Sequence, residues 1–285
     1  MTLAEEVRDI VEKNAPDLLS DFDTLASEAA FARQWIAAEL SVLHKGDKIL
    51  EVGAGIFLLA CELQRDGYEV TALEPVIDGF LHFERLQQLM LDYAQTGGFM
   101  PKILRCTGEE LAEKNHFRLA YSVNVMEHVD DIDRVLQRVI ASLTVGGTYR
   151  FVCPNYHFPY EPHFRIPTFG SKATTGKIMH HAIANATYME QPEAVWKSLN
   201  WITVSKIKAL CQPLPVVLKF DTGIIATYIH RALHDAEFKA RQRVLSAIGR
   251  WLDMTGAIRI LRFLPPHIMP IMDVIITKRS EPNHG

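Results

Sequence analysis

The stretch that decides the fold of this chain runs from Lys48 to Ala60 and reads KILEVGAGIFLLA. Its first residues are apolar and β-prone, which predicts a buried strand. Gly53 and Gly55 then allow a sharp turn and leave room for a ligand beside the main chain. The residues that follow predict a helix that ends just before Gly67, because glycine is favoured immediately past a helix end.

A second strand is predicted over residues 68–73, and Glu74 follows it directly. The order along the chain is therefore strand, glycine turn, helix, strand and acid. An acid about 20 residues past the glycines, at the tip of the second strand, is placed to accept hydrogen bonds from a ribose diol. A solvated glutamate and two turn glycines are the alternative, but the complete order favours a nucleoside site.

The turn differs from the one that binds dinucleotides. Leu58 stands where the dinucleotide fingerprint needs a third glycine, and Glu51, two residues before Gly53, would repel a pyrophosphate. A cationic ligand with an amino-acid end suits an acidic turn better. Residues 51–57 resemble the first motif of the class I S-adenosylmethionine-dependent methyltransferases, (D/E)-x-G-x-G-x-G, with Phe57 in place of the third glycine.

The resemblance implies an α/β fold: a Rossmann-like, doubly wound, mostly parallel seven-stranded sheet. Its antiparallel last strand would insert between the fifth strand and its partner. The alternation of strands and helices over residues 48–153 itself predicts a parallel sheet with right-handed crossovers. We expect an N-terminal helical cap at 1–44, a cofactor-binding core at 45–153, a substrate-side insertion after the fifth strand at 154–200, and completion of the sheet by 201–285. The N-terminal helices would either cover the site or pack against the sheet edge.

The resemblance also implies S-adenosylmethionine as cofactor, with a methionine end held at the glycine turn and the ribose held by Glu74. The fourth strand is predicted over residues 119–125, and Asn124 near its end would lie near the methyl group. Asn124, Glu127 and His128 fit a motif similar to that of many small-molecule members. Glu109 is a candidate neighbour of the adenine, although an acidic helix start explains it as well. The cofactor-binding residues that we expect are Glu51, Gly53, Gly55, Glu74, Glu109 and Asn124.

The segment from residue 154 to 200 is rich in proline, aromatic residues and histidine. It begins at the carboxyl edge of the predicted sheet, where ligands bind in open α/β folds, so we assign substrate recognition to it. Tyr156, Tyr160 and Glu161 are the candidate substrate residues. The two tyrosines have an alternative role, which is to pack the loop against the rest of the protein.

Methyl transfer to an alcohol or phenol benefits from a base that takes the acceptor's proton. His128 and His163 are the candidate catalytic residues, because imidazole titrates near neutrality. Glu161, two residues before His163, is placed to orient it. The alternatives are a helix-start histidine at position 128 and an ordinary polar loop residue at position 163.

The composition bounds the remaining possibilities. The chain has 285 residues and a formal net charge of −4, so it has no overall attraction for nucleic acid. Four scattered cysteines without a CxxC pair, no signal-peptide pattern and no apolar run of the ~18 residues that span a bilayer predict a cytoplasmic protein. The aspartates at 130, 131 and 133 suit a helix start, so no metal is predicted. Residues 258–270 are apolar with two arginines, which indicates a buried connector or a weak contact with a membrane surface.

Together these features predict an S-adenosylmethionine-dependent methyltransferase. The expected acceptor is a small molecule, or a group linked to a sugar or a lipid, and the expected acceptor atom is oxygen. Two alternatives stay open at this point. One is an NAD- or nucleotide-sugar-dependent enzyme on a similar sheet, and the other is a non-catalytic binding protein of methyltransferase shape.

Overall fold

The computed structural model describes residues 1–76, 81–189, 191–234, 254–255, 261 and 263–280. Residues 236–252, whose pattern predicts a helix, lie outside the described residues, as do residues 258–260 and 262 of the apolar segment at 258–270. In the described ranges, no helix is both long enough and apolar enough to span a membrane.

The strands form one large sheet and a small hairpin. They are β1 (Lys48–Val52), β2 (Glu69–Leu73), β3 (Lys102–Leu104), β4 (Phe117–Val123), β5 (Leu143–Pro154), β6 (Tyr160–Glu161), β7 (Ile166–Pro167), β8 (Val216–Phe220) and β9 (Ile271–Lys278). The sheet has the order β3-β2-β1-β4-β5-β9-β8, and β9 is antiparallel to both of its neighbours. The predicted fold class is therefore confirmed, including the place of the last strand.

The helices lie between and around these strands. They are α1 (Leu3–Asn14), α2 (Leu19–Trp35), α3 (Ala37–Leu40), α4 (Leu58–Arg65), α5 (Leu81–Gly97), α6 (Ile132–Ser142), α7 (Lys172–Ala184), α8 (Pro192–Ser198), α9 (Val204–Cys211) and α10 (Ile224–His234). Helix α6 shows why they form: Val135, Leu136 and Val139 recur at helical spacing and are buried. The Asp131 side chain caps this helix by accepting a hydrogen bond from the Arg134 amide at 3.1 Å.

Two apolar layers cover the two faces of the sheet. One contains α1, α2, α4 and α5, and the other contains α6, α9 and the apolar side chains of the insertion. Helix α1 packs on α2, α4 and α5, so the N-terminal helices belong to the first layer. The division of the chain into four segments stays a prediction, although residues 154–200 do depart from the strand–helix alternation by forming β6, β7, α7 and α8.

Asn155 anchors the beginning of the insertion. Its side-chain amide donates to three carbonyl oxygens of the segment 266–269, at 2.8–3.3 Å. Its side-chain oxygen accepts from the amides of His157 and Val204, at 3.3 and 3.4 Å. These bonds connect the end of β5 to the segment before β9 and to the start of α9. Asn155 is buried, so its hydrogen bonds are shielded from competition with water.

A buried ion-pair network joins β5, β9 and the N-terminal helices. Arg150 donates through Nε and Nη2 to the two carboxylate oxygens of Asp273, at 3.0 and 2.7 Å. Its Nη1 donates to the carboxylate of Glu39 and to the carbonyl oxygen of Trp35. The Trp35 indole donates in turn to Asp273 at 2.8 Å. Every charge in the network therefore has a partner, which is the condition for burying it.

We predict that Asp273→Ala lowers the free energy of unfolding by about 3–5 kcal/mol, because it leaves the Arg150 guanidinium buried beside a missing partner. Urea denaturation measures this change. The matched control is Asp221→Ala, since Asp221 lies 3.6 Å from Arg150 but is half exposed. Its loss should cost less than ~1 kcal/mol, and equal losses for the two variants would contradict the role given to Asp273.

Candidate functional site

The glycine turn follows β1 at the carboxyl edge of the sheet. Gly53 has φ +74°, and a Cβ atom there would lie 2.3 Å from Cγ2 of Val125, in the loop after β4. Glycine is therefore required at this position by both backbone conformation and space. Gly55 also lies in the left-handed region, with φ +55°.

Glu74, at the end of β2, faces this turn. Its carboxylate accepts a hydrogen bond from the Gly55 amide at 2.9 Å. Burial raises the pKa of Glu74 to about 7, against the opposing effects of the Gly55 hydrogen bond and the charge of Arg105. The carbonyl oxygen of Gly55 accepts a hydrogen bond from the side-chain amide of Gln87 at 2.7 Å. Arg105 donates to the side-chain oxygen of the same glutamine at 2.9 Å. Neighbouring strand ends and α5 thus fix the turn together.

Phe57 occupies the third position of the motif in a conformation that favours glycine. Its φ is +64°, and its side chain is wholly buried. The guanidinium of Arg105 lies over its ring, 4.8 Å from the centroid. Burial of the ring and this cation–π contact offset the cost of a left-handed backbone at a residue with a Cβ atom.

The other predicted cofactor residues have different surroundings. Glu51 is buried, which raises its pKa to about 8, and its Oε2 has no hydrogen-bond partner among the described residues. Asn124 is exposed and has φ +56°, which ends β4 two residues earlier than the sequence predicts. The Glu109 carboxylate accepts from the amide of Asp131 at 3.1 Å, so it supports the start of α6. Contact of any of these residues with a cofactor stays a prediction.

Two histidines meet at the carboxyl end of β4, although they are 35 positions apart in the numbering. The rings of His128 and His163 are edge-to-face, with centroids 5.1 Å apart. His128 Nδ1 lies 2.8 Å from Oγ of Ser198, and His163 Nδ1 lies 2.6 Å from the carboxylate of Glu161. Glu127 completes the group: one ligand atom from each of Glu127, His128 and His163 lies within 4.8 Å of the others.

The electrostatics of this cluster follow from burial. Burial, with the neighbouring His163, lowers the pKa of His128 to about 4. Burial also acts to lower the pKa of His163, but the hydrogen bond and charge of Glu161 outweigh it and the pKa is raised. Burial raises the pKa of Glu127 to about 7. Both oxygens of this carboxylate lack a hydrogen-bond partner among the described residues.

Glu161 and Tyr156 hold the histidine-bearing loop from inside. Glu161 is wholly buried, and besides His163 it accepts from the hydroxyl of Tyr156 and the amide of Phe164, at 3.2 and 2.6 Å. The Tyr156 ring is buried and stacks on Trp201 at a centroid distance of 4.4 Å. Tyr160 is half buried in β6. These contacts fit the positioning of His163, and direct contact of the three residues with a substrate stays a prediction.

Comparison with known proteins identifies the family. The model of a methyltransferase domain matches residues 25–212, more than half of the chain. The chain belongs to this methyltransferase family. The resemblance to the class I S-adenosylmethionine-dependent enzymes is thereby confirmed. Two uncharacterized proteins from strains of Mycobacterium tuberculosis are each 41% identical to this methyltransferase over 283 residues, with 96% of this chain and 93% of the relative covered.

Solved structures share the fold at low sequence identity. A phosphoethanolamine N-methyltransferase of Haemonchus contortus, in complex with S-adenosyl-L-methionine, has a TM-score of 0.54 and 13% identity, covering 96% of this chain and 60% of that one. Geranyl diphosphate C-methyltransferase from Streptomyces coelicolor has a TM-score of 0.51 and 12% identity, with coverages of 92% and 84%. The [4+2]-cyclase SpnF has a TM-score of 0.51 and 15% identity, with coverages of 89% and 83%. These similarities concern the fold.

Some residues of the site were not among those chosen from the sequence of this methyltransferase. Glu127 stood in the quoted motif but was given no role. Ser198 and Asn200 carry no local signal, because they reach the site from the far end of the insertion. The Asn200 side chain donates to the carbonyl oxygens of Met126 and Val129, at 2.7 and 2.8 Å, and so fixes the loop that carries Glu127 and His128.

We predict that Phe57→Gly, which restores the family motif, destabilises the protein by about 2–3 kcal/mol. Loss of a buried phenylalanine costs about 3–5 kcal/mol, and relief of the left-handed backbone returns about 1–2. Urea denaturation measures the difference. Phe57→Leu is the control, because it keeps the backbone cost and most of the buried volume. A glycine variant as stable as the wild type would show that the ring contributes no more than the backbone cost of about 1–2 kcal/mol.

Proposed function

We propose that this methyltransferase moves the methyl group of S-adenosylmethionine to a hydroxyl oxygen of a small-molecule, sugar-linked or lipid-linked acceptor. The observation that carries the proposal is the pair of imidazoles, His128 and His163, at the carboxyl end of β4. The glycine turn and Glu74 lie at the same edge, on the neighbouring strands β1 and β2. Donor and acceptor groups would therefore meet where parallel strands end.

The proposed cofactor site uses the glycine turn and the two buried carboxylates. Glu74 already accepts from the Gly55 amide, so a ribose bound there would share an acceptor whose position the turn fixes. Gly53 lets the turn pass directly against the side chain of Val125. Burial raises the pKa of Glu51 to about 8, and a bound ligand with a sulfonium and an ammonium group would favour the ionised form of this carboxyl group. Asn124 is the candidate neighbour of the methyl group, and Glu109 of the adenine.

The proposed reaction is a direct displacement. A lone pair of the acceptor oxygen attacks the methyl carbon, the carbon–sulfur bond breaks, and its electron pair stays on sulfur to give S-adenosylhomocysteine. The hydroxyl proton must leave the oxygen in the same process, and the histidine cluster is the part of this edge that is suited to assist. Because Glu161 and Ser198 engage both Nδ1 atoms, the Nε2 atom of each ring is left for that task.

The acceptor atom is inferred from these histidines rather than from the solved structures, whose names include N- and C-methyltransferases and a cyclase. Family membership makes a NAD- or nucleotide-sugar-dependent enzyme the weaker alternative. The other alternative is a binding protein without turnover. The methyl-transfer assay would detect it, because the wild type would then transfer no label.

We predict that Glu74→Ala weakens the affinity for S-adenosylhomocysteine by at least ~1 kcal/mol, or roughly fivefold, because a hydrogen bond to a charged group is lost. Isothermal titration calorimetry measures the affinity. Glu69→Ala is the control, since Glu69 is exposed at the other end of the same strand. Equal affinities for Glu74→Ala and wild type would remove Glu74 from the proposed site.

We predict that His163→Ala lowers methyl transfer at least ~100-fold while leaving the affinity for S-adenosylhomocysteine within about twofold of wild type. The assay incubates the protein with methyl-labelled donor and a cell extract, and mass spectrometry identifies the labelled atom. His157→Ala, an exposed histidine of the same insertion, should retain full transfer. Label on carbon or nitrogen, unchanged transfer by His163→Ala, or no transfer by the wild type would each contradict the proposal.

A further inference from the structure

Glu127 has more buried side-chain polar atoms without a hydrogen-bond partner than any other described residue. It is wholly buried, and neither oxygen accepts a hydrogen bond from a described residue. Glu127 forms no ion pair with His128 or His163, although both rings are close to it. A buried carboxyl group without partners is costly, and native structures retain one where something else binds to it.

The proton on His128 can be assigned from its neighbours. Ser198 has a single hydroxyl hydrogen, and its Oγ donates that hydrogen to the carbonyl oxygen of Val195 at 2.9 Å. The same Oγ lies 2.8 Å from His128 Nδ1, so it must accept a hydrogen from that nitrogen. In a neutral imidazole this leaves Nε2 with a free lone pair.

His163 has the same arrangement with a stronger partner. Its Nδ1 donates to the Glu161 carboxylate at 2.6 Å, and Glu161 is itself fixed by the Tyr156 hydroxyl and two backbone amides. Nε2 of His163 is therefore the nitrogen that remains for a ligand. Histidines that bind metals usually donate their other ring N–H to a carboxylate or a similar acceptor, and both rings here do so.

We propose that Glu127, His128 and His163 form a binding site for one divalent transition-metal ion of the zinc class. One carboxylate oxygen and two Nε2 atoms would be the ligands, and Glu161 and Ser198 would orient the imidazoles. Two imidazoles with one carboxylate suit zinc and its transition-metal neighbours better than magnesium or calcium, which prefer oxygen ligands. One potential ligand atom of each residue, a carboxylate oxygen or a ring nitrogen, lies within 4.8 Å of the other two. Metal–ligand distances of about 2.0–2.2 Å would draw them roughly 1 Å closer.

The proposed site differs from the acidic cluster considered in the sequence. That cluster lies at the start of α6, where the Asp131 side chain caps the helix. The proposed ligands come instead from the end of β4 and from the insertion. Three protein ligands leave a fourth position open, which is typical of catalytic zinc sites. If the proposed function holds, that position would take the acceptor oxygen. The metal would then lower the pKa of the acceptor hydroxyl, and the two Nε2 atoms would act as its ligands rather than as free bases. Metal binding itself does not depend on that reaction.

The test is a calorimetric titration of Zn²⁺ into the untagged full-length protein after chelator treatment and dialysis. We expect one site per chain with a dissociation constant below about 1 μM, and a melting temperature that rises with bound metal. Glu127→Gln, His128→Ala and His163→Ala should each weaken binding at least ~100-fold. Ser198→Ala, which removes only an orienting hydroxyl, should weaken it roughly tenfold.

The matched control is the double variant His180→Ala and His181→Ala, which removes two adjacent exposed histidines and should leave the affinity unchanged. Cobalt absorption gives a second readout, since visible bands of a four- or five-coordinate site should appear in the wild type and vanish in the three ligand variants. S-adenosylhomocysteine affinity, measured separately, verifies that each variant is folded and keeps the cofactor question apart. Binding weaker than about 10 μM, or binding that survives in the ligand variants, would overturn the proposal.

Discussion

The ion pair between Arg150 and Asp273 is the constraint on which the arrangement of this methyltransferase depends. It places an antiparallel strand beside β5 in the middle of the sheet and, through Trp35 and Glu39, ties that strand to the N-terminal helices. Two charges buried this deeply tolerate little displacement, because each would lose its partner. The register of β9 against β5 therefore also fixes where β5 ends and where the insertion begins.

Several buried carboxyl groups lie at the carboxyl edge of the sheet. Glu51, Glu74 and Glu127 are all buried near strand ends, and burial raises the pKa of each. Glu74 is held by the glycine turn, whereas Glu127 has no hydrogen-bond partner in the described ranges. Glu51 and Glu74 place carboxyl oxygens where a cationic cofactor would bind beside β1 and β2. Glu127 places two carboxyl oxygens where a metal cation would bind beside β4.

The insertion brings the second half of the site to that edge. Asn155 fastens its start, Asn200 fastens its end to the loop after β4, and Glu161 holds His163 between them. The sequence indicated that Glu161 would orient His163, since only Pro162 separates them and a carboxylate is the natural partner of an imidazole. It offered packing of Tyr156 only as an alternative and did not indicate that Glu161 is an interior residue, because proline-rich loops give no periodic pattern from which burial can be read.

The sequence by itself determined the parts whose cause is local. The strand, glycine turn, helix, strand and acid of residues 48–74 follow from propensity and spacing, and each was found where the pattern put it. The tertiary structure alone decided which distant residues meet: Arg150 with Asp273, Phe57 with Arg105, and His128 with His163. Such contacts depend on how layers and loops pack across the whole chain, and one charged or aromatic residue in a strand or loop does not name its partner. For the same reason the sequence indicated no role of its own for Glu127, and only the tertiary structure shows that it is buried beside two imidazoles.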